Sequence, residues 1–267
     1  MMRIGFFDSG LGGLMILKAA RQVLPRHDFV YFGDTLHLPY GGRSNDAIYD
    51  YTEQAIDHLL RKEDCNLVIV ACNTASAAAL RRLQQGYLAE NFPDRRVLGV
   101  VIPTLEATLE YGCKKIGLLA TERLVQSQIY QMELQKLDPE IEIFAAAAPL
   151  LVPLIENNGQ KWLPSILADY IAPLLEHGIE ALILGCTHYP FLRPYLKELL
   201  PPHVHVISQD EIIPAKLVDY LQRHPEIDSA IGRDGMTKFL VTDITNNYIR
   251  TATEIYGTAP KLEKTVL

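Results

Sequence analysis

The sequence predicts an α/β protein of two similar three-layer domains built on mainly parallel sheets. Three observations carry this expectation. Short β-branched runs alternate with helical patterns along all 267 residues, as strand–helix–strand units do. The apolar runs are continuous rather than alternating, as in Leu67-Val68-Ile69-Val70-Ala71, which fits strands covered by helices on both faces. Finally, Asn66-Leu67-Val68-Ile69-Val70-Ala71-Cys72-Asn73-Thr74 lines up with Glu180-Ala181-Leu182-Ile183-Leu184-Gly185-Cys186-Thr187-His188. Each is a buried-strand pattern ending in cysteine, then small polar residues, then a helix start, which suggests a duplicated α/β unit.

In chain order, strands are expected at Ile4–Phe7, Phe29–Phe32, Leu67–Ala71, Val97–Val101, Lys115–Leu119, Ile141–Phe144, Ala181–Leu184, Val204–Ile207 and Lys238–Val241. Between the first two, Leu14, Leu17, Ala20 and Leu24 recur at helical spacing, and Ser44–Lys62 and Leu163–Leu175 behave alike. The helix after Cys72 starts at Thr74-Ala75-Ser76, and Pro190 marks the start after Cys186. Residues 1–97 with 208–267 are expected to form the first domain, carrying Asp8 and Cys72. Residues 98–207 form the second, carrying Cys186, and the last segment folds back onto the first.

Composition narrows the function. With 48% hydrophobic and 21% charged residues, the chain is globular and not disordered. A net charge of −7 gives no basic footprint, so no nucleic-acid partner is expected. Ile143–Ile155, the longest apolar stretch, is too short to span a bilayer and contains Pro149 and Pro153, so no membrane partner is expected either. Met1-Met2-Arg3 leads straight into a strand pattern, so no signal peptide is expected. Four cysteines without a C-x-x-C pair suggest neither a disulfide scaffold nor zinc. The default is a cytoplasmic protein with free thiols.

Four loops could carry chemistry. Asp8-Ser9-Gly10-Leu11-Gly12-Gly13 follows the first strand and opens the first helix. A dinucleotide fingerprint would need a third glycine where Met15 stands, although Asp34 lies roughly where a ribose-binding acid would. Three readings stay open: a nucleotide loop, a glycine turn needed only for chain reversal, and an anion site in which loop amides hold a carboxylate. Asp8 ahead of the glycines would repel pyrophosphate, which favours proton chemistry. The second loop, Gly33-Asp34-Thr35 through Leu38-Pro39-Tyr40-Gly41-Gly42-Arg43-Ser44, taken alone is more often structural, with Ser44 as N-cap.

The two cysteine loops carry the main signal. A lone cysteine at a strand end is usually a small core residue; two in matching contexts, at strand carboxyl ends where open α/β sheets bind ligands, are harder to explain that way. A helix N-terminus is expected to lower a thiol pKa from about 8.5 toward neutrality. Cys65, flanked by Glu63-Asp64, and Cys113, flanked by Lys114-Lys115, lack that setting and read as structural. Cys186-x-His188 offers too few ligands for zinc, so no metal is expected. A cysteine hydrolase with His188 as base would use one thiol and leave the other unexplained. Proton transfer with inversion at a planar carbanion needs two groups, one on each face. Asp8 and His188 would each assist the nearer cysteine. Glu156, ending an apolar run before a turn, reads first as a solvated loop residue and otherwise as a second acid on the Cys186 side.

At these residues the sequence resembles the glutamate racemases of the aspartate/glutamate racemase family. The matching pieces are Phe7-Asp8-Ser9-Gly10-Leu11-Gly12-Gly13, Tyr31-Phe32-Gly33-Asp34-Thr35, Pro39-Tyr40-Gly41, Ala71-Cys72-Asn73-Thr74-Ala75-Ser76, Gly185-Cys186-Thr187-His188-Tyr189-Pro190 and Phe239-Leu240-Val241-Thr242-Asp243. The resemblance implies cofactor-independent racemisation of glutamate, supplying D-glutamate for peptidoglycan, at a site on the interface of the two domains. It implies Cys72 and Cys186 as the acid/base pair, with Asp8 on one side and Glu156 and His188 on the other. By analogy Cys72 handles the proton of the D-enantiomer and Cys186 that of the L-enantiomer. Substrate contacts are implied at Asp8-Ser9, Tyr40-Gly41, Asn73-Thr74 and Thr187-His188, with Thr121 a weaker candidate. Glutamate is the implied small-molecule partner, and a homodimer is left open. Two departures stand out: Leu124 where many members carry threonine, and Ile102-Pro103 where some carry Glu-Pro. Related aspartate racemases share the two-cysteine plan, and Thr187-His188-Tyr189-Pro190 favours glutamate. An amino-acid-binding module without chemistry would have no use for the two thiols. A pyridoxal-dependent enzyme would need a Schiff-base lysine, and no lysine here lies at a recognisable strand-end loop.

Overall fold

The computed structural model describes residues 1–267. The first stretch runs β1 (Arg3–Asp8), α1 (Leu14–Val23), β2 (Phe29–Gly33), α2 (Asn45–Arg61), β3 (Cys65–Val70), α3 (Asn73–Gln85), α4 (Tyr87–Asn91) and β4 (Arg96–Gly99). The middle runs α5 (Val101–Leu109), β5 (Lys115–Ala120), α6 (Glu122–Ser127), α7 (Ile129–Leu137), β6 (Glu142–Ala147), α8 (Leu151–Glu156), α9 (Leu163–Glu176), β7 (Ala181–Gly185), α10 (Arg193–Leu199) and β8 (His205–Ile207). The chain closes with α11 (Gln209–Arg223), α12 (Pro225–Asp228), β9 (Thr237–Val241), α13 (Asn246–Tyr256) and β10 (Leu262–Lys264).

Two wholly parallel sheets result, in the orders β10-β9-β2-β1-β3-β4 and β6-β5-β7-β8. Every residue of β1 after Arg3 and of β2, β3 and β7 is buried, which is why their apolar runs do not alternate. One core cluster on the first sheet joins α1, through Leu14, Ile16 and Leu17, to α11, through Ile213, Leu217 and Leu221. Another, on the same sheet, gathers Ile48, Ile56 and Leu59 of α2 with Ala75, Ala79 and Leu83 of α3. The second sheet is covered in the same way by two further clusters, giving the three-layer arrangement twice. Burying one such Val, Leu or Ile side chain contributes about 1.5–3 kcal/mol.

Local details follow from sequence. Ser44 caps α2 by accepting from the Ala47 amide at 3.3 Å. The strand expected over Val97–Val101 ends at Gly99, because Val101 already opens α5, with Pro103 in its first turn, where a missing N–H costs nothing. β4 thus carries the first sheet two residues past the expected junction at 97. A tenth strand, β10, was not anticipated; it pairs with β9 at the edge of the first sheet.

Register decides which loops become neighbours. Phe7 of β1 pairs with Val70 of β3, so Asp8 and Ala71-Cys72 leave the first sheet side by side. Ala120 of β5 pairs with Gly185 of β7, which does the same for Thr121 and Cys186 in the second. All these residues emerge at the carboxyl ends of parallel strands, where open α/β sheets hold their ligands.

Candidate active site

The loops of the two sheets meet. The Thr187 hydroxyl donates to Asp8 Oδ1 at 3.2 Å, and the Thr74 and Thr121 hydroxyls share a 2.9 Å bond. A Cβ built on Gly12 would lie 2.4 Å from Thr187 Oγ1, and one on Gly41 would lie 3.2 Å from Thr121 Cβ. Gly12 and Gly41 thus serve close approach to the opposite half. Asp8, Ser9, Gly41, Thr74, Thr121, Thr187 and His188, each singled out from sequence, are brought together here.

On the first side, Cys72 is the N-cap of α3, and its sulfur accepts from the Ala75 amide at 3.4 Å. Its S–H donates to Ser9 Oγ at 3.3 Å. The expected lowering of the thiol pKa is not what this setting produces. Burial, reinforced by the nearby Asp8 carboxylate, pushes Cys72 up to about 12, against the pull of the Ser9 and Ala75 bonds. Desolvation outweighs the helix end. Asp8 is itself fully buried, and burial raises its carboxyl above the ordinary value. The His188 charge, the amides of Gly10 and Gly13 and the Thr187 hydroxyl pull it back in part. Asp8 does not bond Cys72; it spans the two halves, from the Gly10 amide at 3.0 Å to Thr187.

On the second side, Cys186 Sγ lies 3.9 Å from His188 Nδ1, and His188 Nε2 lies 2.9 Å from Glu156 Oε1. Burial alone would lower the His188 pKa, but the bonds to Cys186 and Glu156 outweigh it and hold the imidazole well above its ordinary value. Glu156 is therefore no solvated loop acid: it ends α8 and forms the outer member of a Glu–His–Cys chain. Nor does a helix begin directly at Cys186. A 3₁₀ turn over Tyr189–Leu192 intervenes before α10.

The nucleotide reading of the first two loops fails on Asp34. This carboxylate is fully buried and accepts from the Tyr40 and Thr242 hydroxyls, both at 2.7 Å, with His37 Nδ1 at 2.9 Å. It anchors the Pro39–Tyr40 loop and has nothing left for a ribose. Tyr40 thus spends its hydroxyl on Asp34, and its loop offers backbone to the cleft. Leu124, the departure noted above, packs at 1% exposure with its amide on Thr121 Oγ1. No group of three or more His, Cys, Asp or Glu side chains is arranged to hold a metal.

Sequence reasoning missed several polar neighbours. Arg250 Nη2 and Asn247 Nδ2, on α13, donate to the Glu156 carbonyl at 2.9 and 3.5 Å. Tyr130 and Gln209 bond the Asn73 side chain. None lies in a motif, and no spacing pattern could have revealed them. A cavity of about 490 Å³ lies elsewhere, between α3, α5 and α11, and neither cysteine lines it. The cysteines are nevertheless where the ionisable groups converge, and perturbed acids and bases cluster at active sites.

Two parallel-sheet α/β units that bring two strand-end cysteines and a His–Glu pair to one interface define the class: an α/β enzyme with its ionisable groups gathered between its two halves. Residues 15–212 match the Asp/Glu/Hydantoin racemase family, and the chain belongs to that family. A glutamate racemase of Ruegeria sp. (strain TM1040) is 40% identical over 239 residues, 85% of this chain and 87% of that protein. One from Cereibacter sphaeroides (strain ATCC 17023) is 40% identical over 255 residues, 90% and 92% of the two chains. The crystal structure of a Bacillus anthracis glutamate racemase isoform superposes with a TM-score of 0.90 at 30% identity, covering 100% of this chain and 98% of that one. The Francisella tularensis glutamate racemase in complex with D-glutamate gives 0.89 at 28%, covering 99% and 97%. No helix is long and apolar enough to cross a membrane.

Proposed function

We propose that the protein interconverts L- and D-glutamate without a cofactor, by proton transfer between Cys72 and Cys186, and supplies D-glutamate for peptidoglycan in the cytoplasm. The observation that carries this reading is the pair of strand-end thiols on opposite sides of one interface, the second backed by His188 and Glu156. Relatives called glutamate racemase at 40% identity support the choice of substrate. The two halves, residues 1–99 with 208–267 and residues 100–207, hold the amino acid between them.

In the L-to-D direction the Cys186 thiolate takes the α-proton and becomes a thiol. The planar carbanion takes a proton from the Cys72 thiol on the other face, leaving a thiolate there. Release of a proton from Cys186 to solvent and uptake of one by Cys72 reset the site. Asp8 faces the substrate ammonium, while Ser9, Gly41, Asn73, Thr74, Thr121, Thr187 and the Tyr40 backbone supply donors to the two carboxylates. His188, relayed to Glu156, exchanges a proton with Cys186.

The test is a polarimetric assay of each pure enantiomer without added cofactor, followed by the same reaction in heavy water. At low conversion from L-glutamate, D-glutamate should carry α-deuterium while unreacted L-glutamate stays protiated. One base serving both faces would return the original proton, so largely unlabelled product would sink the two-cysteine mechanism. Absence of racemisation altogether would sink the substrate assignment.

A further inference from the structure

Asn73 follows Cys72 directly, yet its side chain is held from the far side of the interface. The Tyr130 hydroxyl, on α7, donates to Asn73 Oδ1 at 2.8 Å. Gln209 Nε2, on the first residue of α11, donates to the same oxygen at 3.1 Å and to Tyr130 Oη at 3.3 Å. All three residues are at most 2% exposed. The bonds occupy both lone pairs of the Asn73 oxygen, and turning the amide over would set its NH2 against the Gln209 NH2. Left behind are two buried atoms with no partner, Asn73 Nδ2 and Gln209 Oε1. A buried donor is seldom left unpaired.

We propose that Tyr130 and Gln209 are positioning residues, which grip Asn73 by its oxygen so that Nδ2 is presented to a carboxylate of the substrate. The proposal rests on the functional reading above, in which Asn73 touches glutamate. It adds that the grip comes from the second half and from the return crossing, so the donor is in place only when the two halves are together. A merely structural cluster would stabilise the interface without caring whether Asn73 is present.

The experiment measures KM and kcat in both directions, glutamate binding by calorimetry, and urea unfolding midpoints. The proteins are the wild type, Asn73→Ala, Tyr130→Phe, Gln209→Leu and the double variant Asn73→Ala/Tyr130→Phe. Tyr130→Phe and Gln209→Leu should each raise KM about tenfold, the loss of roughly one hydrogen bond to ligand, with kcat within about threefold of wild type. The double variant should be no worse than Asn73→Ala alone, because a residue acting through Asn73 has nothing left to lose. Additive losses, or a fall in kcat with KM unmoved, would overturn the proposal. If Asn73→Ala leaves KM unchanged, the contact with Asn73 is wrong and the proposal falls with it. A wild type that binds no glutamate overturns the functional reading itself.

Discussion

Replacing Gly12 by alanine tests whether the two loops meet as described. The new Cβ would lie 2.4 Å from Thr187 Oγ1, 2.7 Å from His188 Nδ1 and 2.9 Å from His188 Cε1. Non-bonded heavy atoms are comfortable at about 3.5 Å, so the loops must part by roughly 1 Å. That shift strains the Thr187–Asp8 bond at 3.2 Å and moves His188 relative to Cys186. Overpacking of this kind costs about 1–3 kcal/mol of stability, and displacing a reacting group by about 1 Å costs on the order of 100-fold in rate. The catalytic loss should therefore exceed the stability loss. The companion is Gly42→Ala, whose Cβ meets nothing within 4 Å; it should keep its activity and gain a few tenths of a kcal/mol from the stiffer unfolded chain. Racemisation rates in both directions and urea midpoints decide the matter. Activity of Gly12→Ala within threefold of wild type would refute the close approach of this loop to Thr187 and His188.

Two further outcomes are expected. Cys72→Ser and Cys186→Ser should each cut racemisation by about 10²–10⁴-fold in both directions, as loss of a general acid or base does, whereas Cys113→Ser and Cys65→Ser, which lie away from the strand carboxyl ends, retain most activity; an essential Cys65 would overturn the assignment. Glu156→Gln should lower the His188 pKa by removing one of the bonds that hold it up, moving the alkaline limb of kcat/KM to lower pH. The sign carries over to stability. Because the folded His188 pKa is raised, its contribution is complete below the unfolded value of about 6.5 and lost as pH rises through the folded one. The stability gap between wild type and Glu156→Gln should thus narrow from pH 6 to pH 9, and a gap that widens would contradict the assigned direction.

What was legible in the sequence was whatever depends on neighbours along the chain. Leu67–Val70 announced a doubly covered strand because four apolar residues in a row have no solvent face. Ser44 announced a cap because its partner is three residues away. The cysteine loops stood out because the pattern occurs twice. What escaped depends on distant neighbours. Tyr130 and Gln209 reach Asn73 across 57 and 136 residues, and no local pattern encodes such a bond. β10 is three residues long with Glu263 and Lys264 exposed, so it has no hydrophobic period to detect. The Cys72 pKa was expected on the wrong side of its ordinary value for the same reason. The helix end is local and visible, whereas the burial and the Asp8 carboxylate that outweigh it are tertiary.

Burial of the whole site bears on how the proposed reaction is held in check. Asp8, Cys72, Cys186 and His188 are all at most 8% exposed, and charges in so dry a place cannot be formed singly. His188 and Glu156 form one compensated pair at 2.9 Å. The other side is compensated less completely: the Asp8 carboxylate raises the cost of a charge on Cys72, and burial pushes both toward their neutral forms, offset at Asp8 in part by His188. An amino-acid substrate brings the missing cation in its ammonium group. On the proposed mechanism that charge sits beside Asp8 and offsets part of the cost of a thiolate on Cys72. The same buried carboxylate that raises the Cys72 pKa in the empty site is, on this reasoning, the group that lets the substrate lower it.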